Sequence, residues 1–275
     1  MIINLTKKII FIFLIIPIIS FAQTISNLKN PESAVFDNNN NLFVTEIGDF
    51  DIDQDGKILK FDSNLNQITF CTGLDDPKGI TLYNDNFYVT DKNKIWKISS
   101  NGEKKIYINS IDFAEEPKFL NDIDHDNQGG LFVTDSGDLK SGGKIFYIDE
   151  NKKITILFSD NNPNIKAPNG IYFVNKERLL TVDFETGILS EINPLKKTIQ
   201  PLLKGFGGGD GIEIDNEITY VSDFKSAVVY KINNGIKEEI YKGNKSAADI
   251  AANKDKTLLA IPDLYGGTLE IIKLK

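Results

Sequence analysis

Six polar side chains recur at one place in a repeated motif. Glu32, Lys78, Asn121, Asn169, Asp210 and Asp249 each stand second in PESAVF, PKGITL, LNDIDH, PNGIYF, GDGIEI and ADIAAN. Brought together, they would present carboxylate and amide oxygens beside one ammonium. An all-oxygen set suits a hard cation, Ca²⁺ first, with Mg²⁺ or Mn²⁺ behind it. No Cys or His stands near these motifs' second positions, which argues against a typical zinc site. Three acids against Lys78 leave a formal charge that a divalent ion balances. The plainer alternative is a water-lined polar channel in which Lys78 pairs with one of the acids.

The elements that must position these residues can be read from the same repeat. Thirteen or fourteen residues beyond each polar residue stands an acid: Glu46, Asp91, Asp135, Asp183, Asp223 and Asp263. Each closes a β-rich run, as in LFVTE, FYVTD and LLTVD, and a third strand follows, as in KILKF and KIWKI. A fourth, outer strand is readable in five of the six units. Repeat spacings of 39–48 residues, strand-forming alternation and no helical period predict an all-β, six-bladed β-propeller with blades starting near 31, 77, 120, 168, 209 and 248. The sixth unit ends after its third strand, while residues 24–29 precede the first unit unpaired. That N-terminal strand is expected to complete the last blade and remove the exposed edges. The motif strand of each blade then lies beside the central channel, so the six polar residues form a ring at one mouth.

The motifs at 31–46, 120–135, 168–183 and 209–223 resemble those of the senescence marker protein/gluconolactonase/luciferin-regenerating-enzyme-like family of six-bladed propellers. The resemblance extends over residues 31–275 and rests on these short motifs. It implies a divalent metal held by Glu32, Asn169 and Asp210, with Asn121 touching the metal or the substrate. It also implies lactone hydrolysis, in which the metal polarises the carbonyl, Asp210 activates water and Asn121 donates to a substrate oxygen. Two positions depart from the family pattern. Phe119 stands where sugar-lactone hydrolases often carry an Arg, and Lys118 beside it projects to the other side of a strand. Lys78 and Asp249 add charges around the metal. A more apolar lactone or ester fits these departures better than a sugar acid.

Other features carry less chemistry. The acidic column is repeated in every blade, so a local backbone-bonding role is expected of it rather than a single site on the axis. His125, the only histidine, lies ~13 Å along the strand from Asn121, which argues against a histidine dyad or a Ser-His-Asp triad at the mouth. Asp51, Asp53 and Asp55 match the opening of a Ca²⁺ loop but lack flanking helices, so a second calcium site competes with a solvated turn. GFGGGDG at 205–211 lacks the Lys-Ser/Thr ending of a phosphate loop. Cys71, the only cysteine, reads as a small buried hydrophobe.

Composition bounds the rest. Lys7 and Lys8 precede an apolar run and a Ser20-Phe21-Ala22 cleavage pattern, so residues 1–22 read as a secretory signal and 23–275 as one propeller domain. The run is too short for a membrane span, and no stable anchor is expected after cleavage. The domain left behind has 29 basic against 39 acidic side chains, which argues against nucleic acid as a partner. The expected protein is exported, periplasmic or secreted, and acts as a divalent-metal-dependent hydrolase of a small-molecule lactone or ester. The alternative from another class is a non-catalytic exported propeller that binds a small ligand or partner protein, its metal being structural.

Overall fold

The computed structural model describes residues 23–274. The signal pattern at 1–22 lies outside the described residues. Among these residues six four-stranded antiparallel sheets are arranged as the blades of a propeller. The innermost strands are Pro31–Phe36, Pro77–Tyr83, Leu120–His125, Pro168–Asn175, Gly209–Asp215 and the short Ala251–Ala252. Consecutive innermost strands are neighbours, and Asp249 N–H donates to the Glu32 carbonyl at 3.0 Å where the ring closes. The expected closure is present: Gln23–Ser26 pairs antiparallel with Thr268–Lys273 as the outer strand of the last blade. It is shorter than the 24–29 segment read from sequence, because Asn27 and Asn30 turn the chain through positive φ.

Strand side chains alternate between two faces, and in this architecture each face meets a different neighbouring blade. The core is therefore divided into clusters between blades. Phe43, Ile58 and Leu74 of the first blade pack with Ile80, Phe87 and Val89 of the second, and Cys71 is buried among them. Leu42, Val44 and Phe61 pack across the closure against Ala260, Leu269 and Ile271. Second strands such as Leu42–Glu46 are buried along their whole length, which explains their near-continuous apolar sequence.

Each acid of the repeated column bonds the segment before its innermost strand, and Asp135, Asp183, Asp223 and Asp263 also bond the turn beyond their own strand. Asp135 accepts backbone N–H bonds from Lys118, Phe119 and Gly137 at 2.9–3.2 Å. Asp183 accepts from Lys166, Ala167, Glu185 and Thr186. Glu46 accepts from Lys29 N–H, and Asp91 from Asp75, Asp76 and the Trp96 indole. The role is local, as the repetition suggested. It reaches backward to the segment before the motif as well as forward to the next turn.

Candidate metal site at the channel mouth

A β-bulge lies at the start of five innermost strands. In the first blade Pro31 pairs with Glu46 and Ala34 with Val44, so Glu32 and Ser33 together oppose the single residue Thr45. The same shift follows Pro77, Leu120, Pro168 and Gly209. Bulges re-aim a side chain out of the regular alternation, and here each one holds a ring residue: Glu32, Lys78, Asn121, Asn169 or Asp210. Close approach of the next blade restricts the other bulge residue. A Cβ on Gly170 would lie 1.9 Å from the Asp210 carbonyl oxygen, so glycine is required there.

The sixth blade departs from the sequence reading. Ala251 pairs with Ala260, which makes Ala248, not Asp249, the counterpart of the five ring residues. Hydrogen bonding agrees. Ser222 donates to the Ala248 carbonyl as Thr45 does to Lys78, Thr90 to Asn121 and Thr134 to Asn169. Asp249 sits one residue deeper, level with Ser33, whose hydroxyl donates to it. Around Ala248 the mouth is apolar, with Ile47, Leu264 and Phe224 packed together. The ring is thus five polar residues and an alanine.

All five polar members are between 3% and 5% exposed. Asn121 Nδ2 donates to Ser136 Oγ at 3.0 Å, and Ser136 donates on to the Pro168 carbonyl at 2.8 Å, which fixes the Asn121 amide. Glu32 Oε2 and Asp210 Oδ1 are buried without a hydrogen-bond partner. Burial, then the nearby Asp249 charge, pushes the Glu32 carboxyl up to about 8, while Lys78 opposes the shift. Asp210 is raised well above the carboxylate range by burial, then by Glu32 and Asp249, with an Asn169 hydrogen bond opposing. Orphaned carboxylate oxygens at such sites are costly in the bare protein and are what a cation would satisfy. Among the described residues no three His, Cys, Asp or Glu side chains are grouped to hold an ion. A hard-cation shell here would need amide oxygens from Asn121 and Asn169 beside the two carboxylates.

The other candidate residues are placed elsewhere. Asp53 pairs with Lys92, and Asp55 accepts from Asp49 N–H and lies 3.6 Å from Lys29. Asp51, in the turn just before them, is exposed, so these three carboxylates do not gather. His125 lines a cavity of about 470 Å³ that also includes Asn38, Asn84 and Asp85, and its ring is 5.1 Å from that of Tyr83. Asn121, four residues back along the same strand, is not among that cavity's lining.

Four acids inside the channel, three buried and Asp124 half-buried, were only partly legible. Asp122, Asp124, Glu213 and Asp249 line an inner cavity of about 120 Å³. Asp122 and Asp124 accept the N–H groups of Ile171 and Phe173, both at 2.7 Å, and Glu213 accepts that of Ala252 at 2.7 Å. Each of these three carboxylates caps a channel-facing N–H on the next blade's innermost strand, while Asp249 accepts the Ser33 hydroxyl. The available signal was an acid at the third or fifth motif position, which on a strand looks like ordinary solvent-facing alternation.

Fold and ring together define a six-bladed propeller with a buried oxygen-donor cluster at one channel mouth. No protein-family model and no curated protein matches the chain. Among solved structures it is similar to luciferin-regenerating enzyme, with a TM-score of 0.74 and 16% identity over 93% of this chain and 95% of that one. It is also similar to a chain of a nidogen/laminin complex, with a TM-score of 0.65 and 21% identity over 78% of this chain and 79% of that one. At these identities the likeness establishes the fold.

Proposed function

We propose that the chain is a divalent-metal-dependent hydrolase of lactones or related esters, gluconolactonase-like and exported. The observation that carries this reading is the pair of orphaned, buried oxygens Glu32 Oε2 and Asp210 Oδ1, in a ring that also holds Asn121 and Asn169. Those four residues would hold the ion, with Ca²⁺ the best match to the donors. When bound, such an ion supplies Lewis acidity toward an ester carbonyl and stabilises the developing oxyanion. Asp210 would serve as the base that takes a proton from the attacking water. Asn121 would orient the substrate oxygen through its remaining N–H, the other being engaged by Ser136. Apolar side chains near the mouth, Phe119, Phe184 and Phe224, suit a substrate with a hydrocarbon face.

The fold of luciferin-regenerating enzyme supports an enzyme, since propellers of this build include one. A second reading is supported by the near-complete burial of the ring: an ion tying the blades at the axis of a non-catalytic binding propeller. A panel of small lactones and esters assayed before and after EDTA separates the two. Turnover abolished by EDTA and restored by Ca²⁺ or Mn²⁺ supports the hydrolase. A fall in melting temperature on chelation, with no substrate turned over, supports the binding protein.

A further inference from the structure

Lys78 is the one member of the ring that no cation would use, and its surroundings leave it unfinished. Its ammonium lies 4.3 Å over the ring of Phe119 and donates to the Asp76 carbonyl at 3.1 Å. The side chain is only 5% exposed. Among the described residues it forms no ion pair within 4.0 Å, although Lys29, Lys57, Lys92, Lys94, Lys144 and Lys256 all do. An ammonium has three N–H donors, and one is occupied here. A buried charge that lacks both a counter-ion and its full set of acceptors is strongly disfavoured unless something else completes it. Glu32, Asp76 and Asp91 act on it electrostatically, yet none lies within ion-pair reach. Asp76 pairs with Lys92, Asp91 is engaged by backbone N–H groups and the Trp96 indole, and a cation bound to Glu32 and Asp210 would take up their charges. That leaves the Lys78 ammonium without a carboxylate partner of its own, backed by an aromatic face.

We propose that Lys78 anchors an anionic oxygen group of the substrate, so that the preferred substrates are lactones or esters bearing a carboxylate beside the scissile bond. This rests on the hydrolase reading for turnover, but not for binding. Phe119 positions the ammonium through its π face, and the Asp76 carbonyl fixes its direction, leaving two N–H groups for the ligand. Lys78 is a specificity residue in this account: it touches substrate but moves no proton.

The test uses the metal-supplemented mature domain and two matched probe pairs. γ-Butyrolactone and its γ-carboxylate report turnover; pyrrolidinone and pyroglutamate, lactams that resist hydrolysis, report binding by calorimetry. Lys78→Met keeps the stem and removes the charge. It should lower kcat/KM for the carboxylate lactone, and affinity for pyroglutamate, by roughly 10- to 100-fold. The neutral members of each pair should change less than about 3-fold. Lys78→Arg should recover part of the loss. Because the substitution removes a buried unpaired charge, the fold should survive it, which a melting curve checks. Lys78-dependent binding of pyroglutamate without any lactone turnover would uphold this inference while refuting the hydrolase. Turnover with equal preference for both lactones, unchanged in Lys78→Met, would refute the inference and leave the hydrolase standing. If pyroglutamate does not bind and no lactone turns over, both fail.

Discussion

The Asp122 carboxylate accepts the backbone N–H of Ile171 at 2.7 Å, across the boundary between the third and fourth blades. An innermost strand has no further strand to pair with, so its channel-side N–H groups need acceptors from elsewhere. Asp122 therefore joins blades as well as lining the channel. Asp122→Ala should destabilise the domain by about 1–3 kcal/mol, read as a lower urea midpoint with an unchanged slope. An unaltered midpoint would show that water replaces the carboxylate at no cost.

Asp183 gathers four backbone N–H groups and the Thr186 hydroxyl around one carboxylate. Asp183→Ala should cost about 1–3 kcal/mol, since a buried carboxylate and the mostly half-buried donors it gathers are lost together. Its metal affinity should stay within a few-fold of the parent at temperatures where it is folded. Loss of metal binding by a folded Asp183→Ala protein would move the acidic column from scaffold to site.

Closure depends on a four-residue strand. Gln23–Ser26 covers the edge of Thr268–Lys273, and Thr24 donates to Glu270 at 2.8 Å. Removing residues 23–26 exposes that edge to other chains. The shortened domain should melt several degrees lower and show concentration-dependent light scattering. Unchanged melting and monodispersity would mean that the other strands of the last blade suffice.

The buried channel acids make the metal-free protein sensitive to pH. Burial raises Glu32 to about 8 and Asp249 to about 7, so the folded chain keeps protons that the unfolded chain releases in the ordinary carboxylate range. With more protons bound in the folded state, stability falls as pH rises from that range through 7 to 8. Melting temperatures in EDTA should decline across this window, and Glu32→Gln should flatten the decline. Saturating Ca²⁺ should oppose it, because the ion takes the place of the protons. A slope identical in Glu32→Gln and the parent would exclude Glu32 as its source.

Sequence pattern revealed the blades because a strand buried on both faces leaves a long apolar run, and the acid closing each run marks its end. It also exposed the ring column, since a polar residue at the head of an apolar strand is unusual. The ring's aim was not legible: it comes from a bulge, a mismatch between two strands that one strand's sequence does not record. The sixth blade misled for a related reason. ADIAAN lacks the Pro or Gly that marks four of the other five starts, and Asp249 filled the column by spacing while the pairing of Ala251 with Ala260 places it one residue deeper. Asp124 and Glu213 escaped notice because alternation along a strand cannot distinguish a channel from open solvent.

Calcium titration of the chelator-treated protein, by calorimetry on the parent, Glu32→Gln and Asp210→Asn, tests the central claim most directly. The account predicts a single saturable site in the parent, weakened at least about 10-fold by either substitution while both variants remain folded. No binding of Ca²⁺, Mg²⁺ or Mn²⁺ by the parent, or equal affinity in all three proteins, would contradict it.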